Sequence, residues 1–100
     1  MNGMSPREEA AQELLEICIF GGLNDGPGAI KTKGEDSKGK SYWDITFCKA
    51  RELDGEIKVY SERFILITWN TAYRDMPKSG REVFKSVQDA RYFMKNFIRP

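Results

Sequence analysis

Eight residues carry the strongest chemical suggestion in the chain. Gly34-Glu-Asp-Ser-Lys-Gly-Lys-Ser41 fits G-x-x-x-x-G-K-[ST] at every fixed position, the pattern of a loop whose backbone amides cradle phosphates. Such a loop works when a buried strand leads into it and a helix starts at the Lys-Ser pair, adding its dipole. Here the context is reversed: residues after Ser41 alternate as a strand, the lead-in GAIKTK is short and polar, and Glu35 and Asp36 stand where phosphates would lie. No hydrophobic strand ending in Asp is available to hold magnesium. Gly26-Pro-Gly28 has no third glycine at position 31, so the dinucleotide fingerprint fails too.

A second constellation is the stretch WNTAYRDMPKSGR, in which an apolar strand releases Trp69 and Tyr73 among basic residues. Residues 74–100 carry seven basic and three acidic side chains. Tyr73 with Arg74, Lys78, Arg81, Lys85, Arg91 and Lys95 suits a nucleic-acid surface, because cations neutralise phosphates while an exposed aromatic stacks on unpaired bases. Lys31, Lys33, Lys38 and Lys40 are auxiliary cations for it. The plainer alternative has Trp69 capping the core, Tyr73 packing at a sheet edge and the charges simply solvated.

The chain has no histidine, which removes the commonest general base and the commonest metal ligand together. No catalytic residue, metal or cofactor is therefore expected. Asp44, Glu52, Asp54 and Glu56 read as surface carboxylates rather than as a pair with divergent pKa values; of these, Asp44 stands apart, on the outer face beside Tyr42 and Thr46. Cys18 and Cys48 have no C-x-x-C partner and lie in apolar patterns, so two reduced, mostly buried thiols in a cytoplasmic protein are expected. The longest apolar runs, LLEICIF and FILITW, fall well short of the roughly 20 residues that span a bilayer, and no membrane association is expected.

These residues need elements to position them. One hundred residues with 40% apolar and 31% charged side chains make one folded domain over 1–100. A helix over residues 6–20 follows from the capping box of Ser5 and Glu8, Pro6 at the first turn and Gly21-Gly22 as a stop. Its last turn, from Leu14 to Phe20, is apolar almost all round and must be covered by the body of the protein or by a partner. Residues 21–40 hold six of the nine glycines and read as a flexible Gly/Lys-rich loop, or as one carrying a short strand near 29–33 that folds back through 34–39. Strands follow over 41–50 (Trp43, Ile45 and Phe47 inward), 56–60 after a turn at Asp54-Gly55, 63–70 as a central strand apolar on both faces, and 81–85 with Val83 inward. Ser86 and Asp89 open a second amphipathic helix over 87–98.

The expected fold is α+β: an N-terminal helix, a three- to four-stranded antiparallel meander, and a C-terminal helix packed on the sheet. From Phe64 to Ile98, a strand ending in Trp, a Gly-Arg turn, a strand ending in Phe-x-Ser and a helix resemble the tail of WGR domains and of single-stranded-DNA-binding coactivator modules. Trp69 is followed by Asn70-Thr71 where the WGR pattern has Gly-Arg, so no residue's role is carried over. Residues 1–29 sit at −4 and residues 30–100 at +5, an asymmetry that favours an anionic contact for the second part. The functional expectation is a small non-catalytic binding protein that contacts nucleic acid, single-stranded nucleic acid being one such partner, through a basic loop–strand–helix surface. The alternative is a protein-interaction module (homodimer, adaptor or inhibitor) that uses the apolar end of the first helix and a sheet edge.

Overall fold

The computed structural model describes residues 3–20, 29–49, 53–72 and 78–98. Their order is α1 (Pro6–Phe20), β1 (Ile30–Glu35), β2 (Ser41–Lys49), β3 (Leu53–Ser61), β4 (Phe64–Thr71), β5 (Ser79–Phe84) and α2 (Val87–Ile98). The five strands form one antiparallel sheet in sequence order. The fold is thus α+β with two helices, but the sheet has five strands rather than three or four. The added strand is β1, the fold-back alternative for residues 29–39. It is held because Gly34 lies opposite Tyr42 in the ladder and because Lys31 Nζ donates to Glu8 Oε2 (3.3 Å) and Gln12 Oε1 (2.9 Å) on α1.

Both helices start as their sequences dictate. Ser5 Oγ accepts from the Glu8 amide at 3.2 Å, and Ser86 Oγ accepts from the Asp89 amide at 3.1 Å, each satisfying one of the amides that a helix start leaves without an intrahelical partner. From α1, Ala10, Ala11, Leu14 and Cys18 are buried; from α2, Ala90 and Met94 are. They meet Ile45, Phe47, Leu53, Ile57, Val59, Ile65, Ile67 and Trp69 in a single cluster, so both helices cover the same face of the sheet. Phe93 closes the seam, its ring 5.0 Å from Phe84 and 5.4 Å from Trp69.

Several sequence expectations shift once register is known. Asp54-Gly55 is no turn: both residues lie inside β3, opposite Cys48 and Phe47, because Phe47 needs the space that a side chain at 55 would fill. β4 is the fourth strand in order and not the centre; its second apolar face, with Phe64 and Leu66, is not covered by either described helix. β5 is inverted. Phe84 pairs with core residue Ile65 and packs on Phe93, while Val83 pairs with Leu66 on the open face and is 41% exposed. Cys18 is fully buried, and burial pushes its thiol up to about 12. Cys48 is exposed, since its place in β2 alternates away from the core. No described helix is long and apolar enough to cross a membrane.

Candidate functional site

With both helices on one side, no described element covers the other face of the sheet, and strand register sets its side chains in rows. Nearest the turn between β1 and β2 lie Gly34, Tyr42, Tyr60 and Phe64. The next row runs Thr32, Asp44, Lys58, Leu66 and Val83; then come Ile30, Thr46, Glu56, Thr68 and Arg81. The first row is aromatic. Tyr42 and Tyr60 have ring centroids 5.2 Å apart, Tyr60 and Phe64 5.4 Å, the latter pair edge-on. Tyr42 lies over Gly34, which has no side chain to displace it, and Lys58 Nζ stands 5.1 Å from the Tyr42 ring centroid. Phe64, 46% exposed, offers the most accessible ring.

Beside this row is a shallow groove of about 710 Å³ whose wall includes Tyr60, Phe64 and the basic side chains Arg7, Lys38, Lys40 and Arg81. Arg7 reaches it from α1, its Nη1 donating to the Ser41 carbonyl (3.2 Å) and Ser41 Oγ (3.0 Å). The turn that supplies Lys38 and Lys40 is the GEDSKGKS stretch. Three of its turn amides are occupied: Asp36 Oδ1 accepts from the amides of Lys38 and Lys40, both at 2.9 Å, and the Asp36 carbonyl accepts from Gly39 N at 3.0 Å. Gly39 takes a φ of 82° to close the turn. The carboxylate thus sits where a phosphate would have to sit, and the Lys40 amide, with lesser help from Lys38 and Tyr60, holds its pKa below the usual carboxylate value. The phosphate-loop pattern is here a β-hairpin turn that presents lysines and binds its own aspartate.

The expected basic cluster is divided. Arg81 faces the open side opposite Thr68, and Lys78 is exposed just before β5. Lys85 is exposed in the turn to α2. Arg91 and Lys95 belong to α2 and hence to the layer on the far side of the sheet; Lys95 is exposed and Arg91 half-buried. Tyr73 and Arg74 lie outside the described residues. Arg81 is therefore the member that joins the groove, and the aromatic row was missed. Tyr42, Tyr60 and Phe64 sit on three strands and only register aligns them; their outward parity in the alternating pattern was the available signal.

One carboxylate departs from the surface reading. Asp44 is pushed up to about 7, first by burial and then by the neighbouring Glu56 carboxylate, against weaker opposing contributions from Thr46 and Lys58. Thr46 Oγ1 donates to Asp44 Oδ2 at 3.3 Å, while Asp44 Oδ1 is buried without a hydrogen-bond partner among the described residues. Asp44 and Glu56 are diagonal neighbours across β2 and β3, so the pair that sequence reasoning discounted is present. An orphaned buried acceptor beside a second carboxylate is the arrangement in which one carboxyl retains its proton and donates to the other.

The apolar end of α1 is largely spent within the fold. Leu14 and Cys18 are fully buried, Leu15 and Ile17 pack partly against the core, and Ile19 remains 42% exposed. Among the described residues no cluster of three or more potential metal ligands occurs. No family model, curated protein or solved structure matches the chain.

Proposed function

We propose that this is a non-catalytic domain that binds single-stranded nucleic acid across its open sheet face, in a reducing cytoplasmic setting. Unpaired bases stack on Tyr42, Tyr60 and Phe64, and the phosphates run along the groove side toward Lys38, Lys40 and Arg7, with Arg81 across the groove. The observation that carries the reading is the aromatic row bordered by these cations. Each base–aromatic stack contributes about 1–3 kcal/mol and tolerates any base, and each neutralised phosphate adds salt-sensitive affinity. A duplex keeps its bases paired and stacked inside, so it gains only the electrostatic part. Lys78 and Lys85 extend the positive field, and Arg91 and Lys95, on the helix layer, do so at longer range.

Fluorescence polarisation with a labelled oligothymidylate and a matched duplex tests this. The single strand is expected to bind more tightly, weaken with added salt, and lose about tenfold in affinity in Phe64→Ala, one stack's worth. Absence of binding at low salt, or equal affinity for duplex, overturns the reading. The protein-interaction alternative draws on Ile19 and Ile30, 42% and 56% exposed. It takes over if light scattering on the same samples reports a dimer that ignores the oligonucleotide.

A further inference from the structure

We infer that Asp44 and Glu56 hold one proton between them beside the stacking row, and that losing it weakens the hold of the open face on a polyanion. The inference rests on the nucleic-acid reading and adds a condition to it.

Asp44 lies in β2 two residues from Tyr42, on the same face and one row further from the turn. Every strand of the sheet contributes neighbours. Thr32 of β1 is directly opposite Asp44 and carries no charge. Thr46 of β2 donates to Asp44 Oδ2. On β3, Lys58 is opposite Asp44 and its Nζ is 3.9 Å from Glu56 Oε1; Asp54 and Tyr60 flank these two along the strand. Leu66 and Thr68 of β4 and Arg81 of β5 complete the rows. Lys31 and Lys33 point to the other face, where they stand over Trp43. Among the described residues two carboxylates therefore share one nearby ammonium, and the second carboxylate has no cation of its own.

With one proton on the pair, the trio Asp44, Glu56 and Lys58 is neutral; without it, the trio carries a net negative charge next to Tyr42. A strand lying on the aromatic row places phosphates within the screening length of that charge, about 10 Å at moderate salt. The carboxyl that burial keeps protonated is also the one whose Oδ1 has no hydrogen-bond donor among the described residues, so the proton answers both the charge and the orphaned acceptor. Because burial and Glu56 raise the Asp44 pKa to about 7, the protonated form dominates below that value and is lost above it. The binding-competent state is therefore the low-pH one, whereas an isolated surface aspartate, ionised throughout this range, would give no pH dependence.

The test is a polarisation titration of the full chain with labelled oligothymidylate at about pH 6 and about pH 8, at constant ionic strength, for wild type, Asp44→Asn and Glu56→Gln. Wild type is expected to bind about three- to tenfold more tightly at the lower pH, the size of one partly screened unit charge. Asp44→Asn should bind at the higher pH with the low-pH affinity of wild type and show no pH dependence, while Glu56→Gln, in which burial alone still raises Asp44, should show a smaller dependence shifted to lower pH. Carbon NMR of the Asp44 carboxyl, without ligand, should place its titration well above that of an exposed aspartate. A pH-independent wild type, or an Asp44→Asn variant that keeps the wild-type slope, overturns the inference and leaves the nucleic-acid reading standing. Failure to bind at either pH overturns that reading and the inference with it.

Discussion

At the level of single residues, the sheet uses glycine where a sequence reader expects a break. Gly34, Gly55 and Gly80 lie directly opposite Tyr42, Phe47 and Trp69 in the ladders. A Cβ at Gly34 would come within 2.6 Å of the Tyr42 ring, one at Gly80 would meet the Trp69 indole, and one at Gly55 would meet both the Phe47 ring and the Thr68 carbonyl oxygen. Each ring therefore covers a neighbouring backbone, the cross-strand device that compensates for glycine's poor strand propensity. At position 55 the obstacle includes backbone, which cannot rotate aside. Gly55→Ala is accordingly expected to destabilise by about 2 kcal/mol or more through overpacking. Gly39→Ala, strained only by its φ of 82° with open space around it, should cost about 1 kcal/mol. Urea unfolding of the two variants measures the difference, and equal losses would contradict this account of Gly55.

At the level of elements, the hairpin β1–β2 depends on one carboxylate. Asp36 holds the Lys38 and Lys40 amides while its own amide donates to the Lys40 carbonyl at 2.9 Å. Asp36→Ala should leave the helices and the β3–β4 pairing intact and shorten the protection of the Lys38 and Lys40 amides in hydrogen exchange. Unchanged protection there would show that the turn closes without its aspartate. The same hairpin marks the limit of what was legible from sequence. Capping signals at Ser5 and Ser86 placed both helices, and strict alternation in Trp43, Ile45 and Phe47 placed β2, because these rest on neighbouring residues. The strand status of Ile30–Glu35 rests on distant partners instead: Lys31 on Glu8 and Gln12, and Gly34 beneath Tyr42. The facing of β5 likewise followed from Phe84 finding Phe93, a contact invisible to local pattern. The candidate site was legible in its cations, Arg81, Lys38 and Lys40, and illegible in its aromatics, since a row across strands exists only once register exists.

For the molecule as a whole, the helix layer and the open face are built from opposite sides of the same strands. Leu14, fully buried, belongs wholly to the helix side. Leu14→Ala should lower stability by about 3 kcal/mol, readable as a lower melting temperature, yet leave oligonucleotide affinity unchanged at temperatures where the variant is folded. A parallel loss of affinity would mean that the two layers are coupled. The strand order also bears on how the chain reaches this arrangement. Each of the four strand pairings joins sequence neighbours, so no hairpin has to wait for a remote segment, and the entropic cost of loop closure stays small at every step. The element contact of greatest sequence separation is the one between α1 and α2, which brings the first helix against the last. Long-range closure thereby falls to α1, which docks on β2, β3 and α2, while the strand rows of the open face are built from short-range pairings.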